Sequence, residues 1–272
     1  MKIVDVLITN DDGYKSAAYL ALIKMVSKNF STLCVAPKKK SSWISKALSY
    51  NKNVSLKKVT KNNCKIIIVD GTPADCVQLG IYHLSPSKPK LILSGINLGN
   101  NLGIAKILSS GTIGAAIEGV LAGVPAVAVS IDIPQEVTSN ENNFYNAEKQ
   151  HNFDIASKVT CRFVEFILTH YPDDILVYSL NIPFHANLET NIRIVNPSNS
   201  RYGSLFVKQG SSFKLLGYGD NLSSKIDDDD IRASLSGSIT VSPITLPFYS
   251  GMVDHFKMNT ELNAFWGTVH KE

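Results

Sequence analysis

No apolar stretch in this chain of 272 residues approaches the roughly 20 residues needed to span a bilayer, so no membrane protein is expected. Cysteine is scarce. The four, Cys34, Cys64, Cys76 and Cys161, form no CxxC or other close metal-binding spacing. Cys34 and Cys64 sit among apolar strand residues and read as buried thiols. Charge of one sign is not in large excess: 27 basic against 23 acidic side chains leave +4, too little to argue for a nucleic-acid polymer. The positive charge is spread out, apart from Lys38-Lys39-Lys40. No signal peptide is read at the start, because Met1-Lys2 runs straight into a strand that ends in two Asp. The expected compartment is therefore the reducing cytoplasm. No GxGxxG follows that strand, which speaks against a dinucleotide-dependent enzyme. An aspartate-nucleophile phosphatase needs Asp-x-Asp spacing, and here the carboxylates are adjacent. Internal repeats and low-complexity segments are also missing.

What is present starts with Asn10-Asp11-Asp12-Gly13, directly after the apolar run Ile3-Val4-Asp5-Val6-Leu7-Ile8. A short apolar strand so early reads as the central strand of an α/β sheet, and ligands bind such sheets beyond the carboxyl ends of the strands. Two carboxylates are thus placed where chemistry happens. They would repel by roughly 4 kcal/mol at about 4 Å and an effective dielectric of ~20. A divalent cation would remove that cost. The plainer reading is that one Asp caps the next helix and the other is solvated.

Continuous apolar strands alternate with amphipathic helices over the first 130 residues or so. Tyr19, Leu22, Ile23, Val26 and Phe30 have helical spacing. Leu33-Cys34-Val35-Ala36 and Lys65-Ile66-Ile67-Ile68-Val69 read as strands, and Ala74 to Tyr82 as a short helix opened by Thr72-Pro73. Leu91-Ile92-Leu93 is a strand ending in Ser94-Gly95-Ile96-Asn97. Ile113, Ala116, Ile117, Val120 and Leu121 form one face of a helix, and Ala126 to Ile131 is another strand. A longer helix carries Phe153, Ala156, Val159, Phe163, Phe166 and Ile167 on one side, before the strand Leu176 to Leu180. This pattern predicts a mainly parallel sheet with helices on both faces. Residues 184–252 read as a β-rich excursion used for oligomer contacts, in which Ser238 to Pro243 alternates like an exposed strand. Asp227 to Asp230 reads as a solvated loop or helix start.

Three more segments end at the same predicted sheet edge as Asp11 and Asp12. They are Pro37 to Ser42, Ser94 to Gly103, and Ser109-Ser110-Gly111-Thr112 just before a helix. Each has a plain reading: solvated lysines, tight turns at Gly99 and Gly103, and a helix cap at Ser110 or Thr112. Together they supply two carboxylates, a hydroxyl, an amide carbonyl and a helix N-terminus. Hard oxygen ligands suit Mg²⁺ or Mn²⁺, and a helix N-terminus presents free N–H groups to a phosphate.

On these residues the chain resembles the SurE family of 5′-nucleotidases, the survival protein E family. The matching segments are Thr9-Asn10-Asp11-Asp12-Gly13, Val35-Ala36-Pro37, Gly71-Thr72-Pro73-Ala74-Asp75-Cys76-Val77, Ser94-Gly95-Ile96-Asn97, Asn101-Leu102-Gly103, Ser110-Gly111-Thr112 and Glu118-Gly119. They stand in family order and spacing across residues 1–131. Ser179-Leu180-Asn181-Ile182-Pro183 and Val241-Ser242-Pro243 extend the match. The resemblance implies a Rossmann-like core with a C-terminal hairpin exchanged between subunits of a homodimer or homotetramer. It also implies metal-dependent phosphate release from nucleoside 5′- and 3′-monophosphates, sometimes with polyphosphate hydrolysis. By position, the ligands of one divalent ion, Mg²⁺ or Mn²⁺, would be Asp11, Asp12, Ser42 and Asn97. Asn10, Ser110, Gly111 and Thr112 would hold the phosphate, and Asp11 or Asp12 would also orient or deprotonate the attacking water.

The chain departs from the family pattern in three places. Ser16-Ala17-Ala18 replaces Ala-Pro-Gly. The serine loop reads Ser41-Ser42-Trp43 and Ser45-Lys46-Ala47, where the family has Arg-Ser-Gly and Ser-Asn-Ser. The basic segment before the hairpin becomes Asn196 to Arg201. The expected whole is a single α/β domain over residues 1–272 that acts as a phosphomonoesterase on nucleoside monophosphates. The altered serine loop keeps open an alternative, a catalytically weakened nucleotide- or phosphate-binding protein on the same fold.

Overall fold

Along the first strand, β1 (Val6–Thr9), side chains alternate between two apolar clusters: Val6 and Ile8 enter one, Leu7 the other. A strand buried on both sides belongs inside a sheet with helices on each face. The computed structural model describes residues 3–133, 153–171, 173, 176–215 and 229–245. After β1 come α1 (Ala17–Val26), β2 (Thr32–Pro37), β3 (Leu56–Lys61), β4 (Cys64–Val69) and α2 (Pro73–Leu79), which runs into a π-turn over Gly80–Leu84. There follow β5 (Leu91–Leu98), α3 (Gly103–Ser109), α4 (Gly111–Leu121), β6 (Ala126–Asp132), α5 (Asp154–His170) and β7 (Val177–Pro183). The described elements close with β8 (Ile192–Ile194), β9 (Phe206–Gln209), β10 (Ser212–Leu215), α6 (Asp230–Leu235) and β11 (Ile239–Ile244).

Nine strands form one sheet in the order β3-β4-β2-β1-β5-β6-β7-β11-β8. The run from β4 to β7 is parallel; β3 and β11 enter antiparallel to β4 and β7. α1 and α5 cover one face, and α2, α3 and α4 the other. From β1 the chain moves through β2 to one side, and after α2 it crosses back to place β5 on the other side. The β1–β5 boundary is thus the switch point, where a crevice opens beyond the carboxyl ends of the strands. This is the mainly parallel sheet with helices on both faces expected from the pattern, and the Rossmann-like core that the resemblance implies. A separate two-stranded hairpin, β9–β10, carries exposed Phe206, Val207, Phe213 and Leu215.

Local chemistry sets the helix starts. Ser16, not an Asp, caps α1 by accepting the Tyr19 N–H, so the plainer reading of the Asp pair fails. The Tyr19 hydroxyl donates to Ile8 O and ties α1 to β1. Thr72 and Asp75 form a reciprocal capping box with Pro73 at the first helical position.

Other readings need correction. Residues 239–244 are not an exposed strand but a buried one, paired with β7 and β8 inside the main sheet. The expected β-rich excursion over residues 184–252 also contains a helix, α6, and residues 246–250 lie outside the described residues. Asp229 and Asp230 do start a helix, yet both are buried; Asp227 and Asp228 lie outside the described residues. Cys64 is only half-buried, and Phe166 is exposed on α5. Strand β3 escaped the sequence reading, because Lys57 and Lys58 are exposed and it presents no apolar face of its own.

Asp230 joins two distant segments: Oδ2 accepts from Gly103 N and Oδ1 from Ser198 N, each at 2.8 Å. Burial raises its carboxyl above the ordinary value, against those two bonds. An amide cannot accept both N–H groups. Asp230→Asn is therefore expected to cost about 1–3 kcal/mol, lowering Tm by roughly 2–4 °C per kcal/mol in a chain of this size. A carboxyl raised in the folded state binds its proton more tightly there than when unfolded. Its contribution to stability falls as pH rises through that window. The gap between wild type and variant should accordingly narrow from acid towards neutral pH in thermal melts.

Candidate metal and phosphate site

Asp11 and Asp12 leave the end of β1 into the switch-point crevice, and both side chains are almost fully enclosed, Asp11 at 4% and the Asp12 side chain at 6% exposure. Burial first, and the neighbouring Asp12 charge second, push the Asp11 carboxyl up to about 7. The Thr112 hydroxyl, which donates to Asp11 Oδ1, and the Lys40 ammonium work against this. Lys40 Nζ stands 3.1 Å from Asp12 Oδ1, and Leu98 N donates to Asp12 Oδ2 at 3.3 Å. The carboxylates are thus held by β5 on one side, the β2 loop on another and α4 on a third.

The first turn of α4 lies directly against Asp11. A Cβ at Gly111 would sit 2.7 Å from Ser41 O and 3.1 Å from Asp11 Cβ, so only glycine allows this approach. Ser110 caps α4 by accepting the Ile113 N–H. The Thr112 hydroxyl proton is committed to Asp11, whereas the Ser110 hydroxyl only accepts, so the donors towards an anion are the Ser110 O–H and the first-turn N–H groups of Gly111 and Thr112. Asn10 is fully buried. Its Nδ2 donates to Gly13 O, while Oδ1 has no partner among the described residues. Asn97 donates through Nδ2 to Gly99 O, which leaves its amide oxygen as the available ligand atom.

The structure brings Asp11, Asp12, Gly111 and Thr112 together. Asn97 stands next to Leu98, whose N–H reaches Asp12. The serine loop approaches through its backbone, with Ser41 N donating to Asp11 O at 2.7 Å. Ser42 is exposed and has no hydrogen bond to another described residue. Among the described residues, no cluster of three or more His, Cys, Asp or Glu is placed to hold a metal. Any metal here would rest on two carboxylates and neutral oxygens. That donor set fits a small hard cation: two enclosed like charges lie side by side with an unpartnered amide oxygen close by in sequence.

A family model described as survival protein SurE matches residues 6–204. The chain belongs to the SurE family. It is similar to the 5′-nucleotidase SurE of Methanocaldococcus jannaschii, at 33% identity over 265 residues that cover 93% of this chain and 96% of that protein. The 5′-nucleotidase SurE of Caldanaerobacter subterraneus is 35% identical over 248 residues, covering 88% and 90%. Among solved structures, the SurE protein from Aquifex aeolicus aligns with a TM-score of 0.71 at 26% identity, covering 96% of this chain and 99% of that one.

Beyond the SurE motifs, the site contains residues that sequence spacing did not single out. Lys40 reads as solvated in a lysine run but faces Asp12. Lys106, on α3, is mostly buried and donates to Asn100 Oδ1, while Asn100 Nδ2 donates to Asp132, each at 2.6 Å. Burial lowers the Lys106 ammonium from its usual range, against the pull of Asp132 and Asp230. No sequence signal marks these partners, which lie 6 and 32 residues apart.

The serine loop also rests on α4 one turn further along. A methyl at Gly114 would overlap Ser45 O and lie 2.7 Å from Lys46 N, all of it backbone. Alanine in a free helix adds about 0.5–1 kcal/mol over glycine. Here Gly114→Ala should instead lower Tm and speed limited proteolysis within residues 41–50; a raised Tm would contradict this packing.

Proposed function

We propose that this chain is a metal-dependent 5′-nucleotidase, a phosphomonoesterase acting on nucleoside 5′-monophosphates, with 3′-monophosphates and polyphosphate as further substrates. The observation that carries the reading is the pair of enclosed, adjacent carboxylates at the switch point, facing the first turn of α4. The names and coverage of the relatives support the same activity. Asp11, Asp12, Asn97 and Ser42 would hold one Mg²⁺ or Mn²⁺. When bound, such an ion neutralises phosphate oxygens and lowers the pKa of a coordinated water.

The protein's own groups do the rest. Thr112 fixes the orientation of Asp11 by donating to Oδ1. Lys40 offsets part of the charge on Asp12. The N–H groups of Gly111 and Thr112, at the positive end of α4, face the oxygens on which charge grows. Asp11 or Asp12 takes the proton of the attacking water. Asn10 supports the turn between them by bonding to Gly13 O. A reducing, cytoplasmic setting is part of this reading; among the described residues no single helix is long and apolar enough to cross a membrane, and the four cysteines are free thiols. For subunit contacts we assign the 184–252 region, and the β9–β10 hairpin with its four exposed apolar side chains is the element that most needs a partner.

Asp11→Asn or Asp12→Asn should lower phosphate release at least about a hundredfold, on the scale of roughly 2.7 kcal/mol. EDTA should do the same to the wild type, and Ser42→Ala should weaken metal binding more than Ser41→Ala. Activity retained in EDTA would reject the metal.

Trp43 stands next to Ser42 in a left-handed conformation, φ 63°, with 38% of its surface exposed. Stacking on a nucleobase is worth about 1–3 kcal/mol in single-strand binders. Trp43→Ala should raise KM for nucleotides while a small artificial phosphate ester is hydrolysed almost as before. Equal losses for both substrates would show that Trp43 shapes the loop instead.

The third expectation is a homodimer or homotetramer in solution. Light scattering at micromolar concentration checks it, and a monomer would count against the assignment of residues 184–252.

A further inference from the structure

One face of α4 carries the serine loop across three successive positions. Gly111 meets Ser41 O, Gly114 meets Ser45 O, and Glu118 pairs with Lys46. Spacings of three and four residues put all three on the same side of a helix. The loop between Ser41 and Tyr50 has no regular secondary structure and is largely exposed, yet it holds two non-glycine residues in the left-handed region, Trp43 at φ 63° and Ser45 at φ 52°. Conformations of this kind persist only where the surroundings over-determine them.

Several of the contacts that hold the loop are identifiable. Ser41 N donates to Asp11 O at 2.7 Å, Ser45 N to Ser109 O at 3.1 Å, and Ser49 N to Asp75 Oδ1 at 3.0 Å. Lys46 reaches inward from the loop, and its Nζ lies 2.5 Å from Glu118 Oε2. The other Glu118 oxygen accepts from Gln78 Nε2. Glu118 is only 3% exposed, so its charge depends on this one cationic partner and one amide.

We propose that Lys46 is a positioning residue: its ion pair with Glu118 locks the 41–50 loop onto α4 and so sets where Ser42 stands relative to Asp11 and Asp12. The inference rests on reading Ser42 as a metal ligand. Lys46 pairs with Glu118 and not with Asp11 or Asp12. It acts through the backbone, four residues from Ser42, on a loop whose own conformation is strained.

The test uses the full chain and two readouts, amide hydrogen exchange over residues 41–50 and Mn²⁺ affinity by calorimetry. Lys46→Met should make the Ser45 and Ser49 amides exchange at least about tenfold faster, since local opening then no longer breaks the ion pair. Mn²⁺ should bind about tenfold more weakly, the usual scale for losing a group that orients a ligand. Lys46→Arg should restore both. The double variant Lys46→Met with Glu118→Gln leaves no unpaired buried carboxylate, so it reports on the loop even if the single variant folds poorly. Unchanged exchange, or faster exchange with wild-type Mn²⁺ affinity, overturns the latch. Wild-type protein that binds no Mn²⁺ overturns the metal reading itself, and the two failures are thereby separate.

Discussion

The structure turns on one electrostatic problem, two adjacent carboxylates enclosed at the end of a central strand. Their mutual repulsion cannot be screened by water where they sit. Every neighbouring element contributes a compensation: a hydroxyl from α4, an ammonium from the β2 loop, a backbone N–H from β5 and the positive end of a helix. Three otherwise unconnected stretches of sequence are brought to one crevice by this shared requirement. On the function proposed above, a phosphate ester and a divalent ion are the ligands whose charges would make the same arrangement productive.

The serine loop meets a different constraint. It reaches the carboxylate turn through its backbone, Ser41 N donating to Asp11 O, without lengthening a strand or a helix. It does so by lying along α4, where two glycines admit its backbone and a buried glutamate receives its lysine. The strain at Trp43 and Ser45 is held in place by contacts made elsewhere. In this chain a bulky aromatic and a lysine occupy positions where the family pattern has Gly and Asn. Its lysine makes an ion pair with Glu118 that an asparagine at that position could not make.

Much of this was legible beforehand. The parallel core showed as continuous apolar strands, because burial on both faces leaves no polar alternation. The helix starts at Thr72-Pro73 and Ser110 were readable from capping chemistry alone. Strand β11 was misread for a physical reason: Thr240 and Ser242 alternate with Ile239 and Val241, the usual mark of a solvated face. In the fold they stand opposite Asn181 and Ser179 of β7, also buried and polar. Alternation reports polarity, not exposure. Ion pairs such as Lys46 with Glu118, 72 residues apart, leave no periodic trace at all. Position in the family pattern points to Ser42, whereas the backbone bond to Asp11 O comes from Ser41.

Strand β3 bears on how these molecules associate. It forms one margin of the nine-stranded sheet, and the other margin, β8, is only three residues long. Lys57, Lys58 and Lys61 line β3, and charged side chains on an open margin oppose strand-to-strand addition by a second molecule. Two copies meeting there would set lysine against lysine. The sheet is thus closed to growth at both ends by charge and by brevity, and continuous β-polymerisation is disfavoured. Any association between copies is left with surfaces outside the sheet plane, where an assembly would be finite and countable.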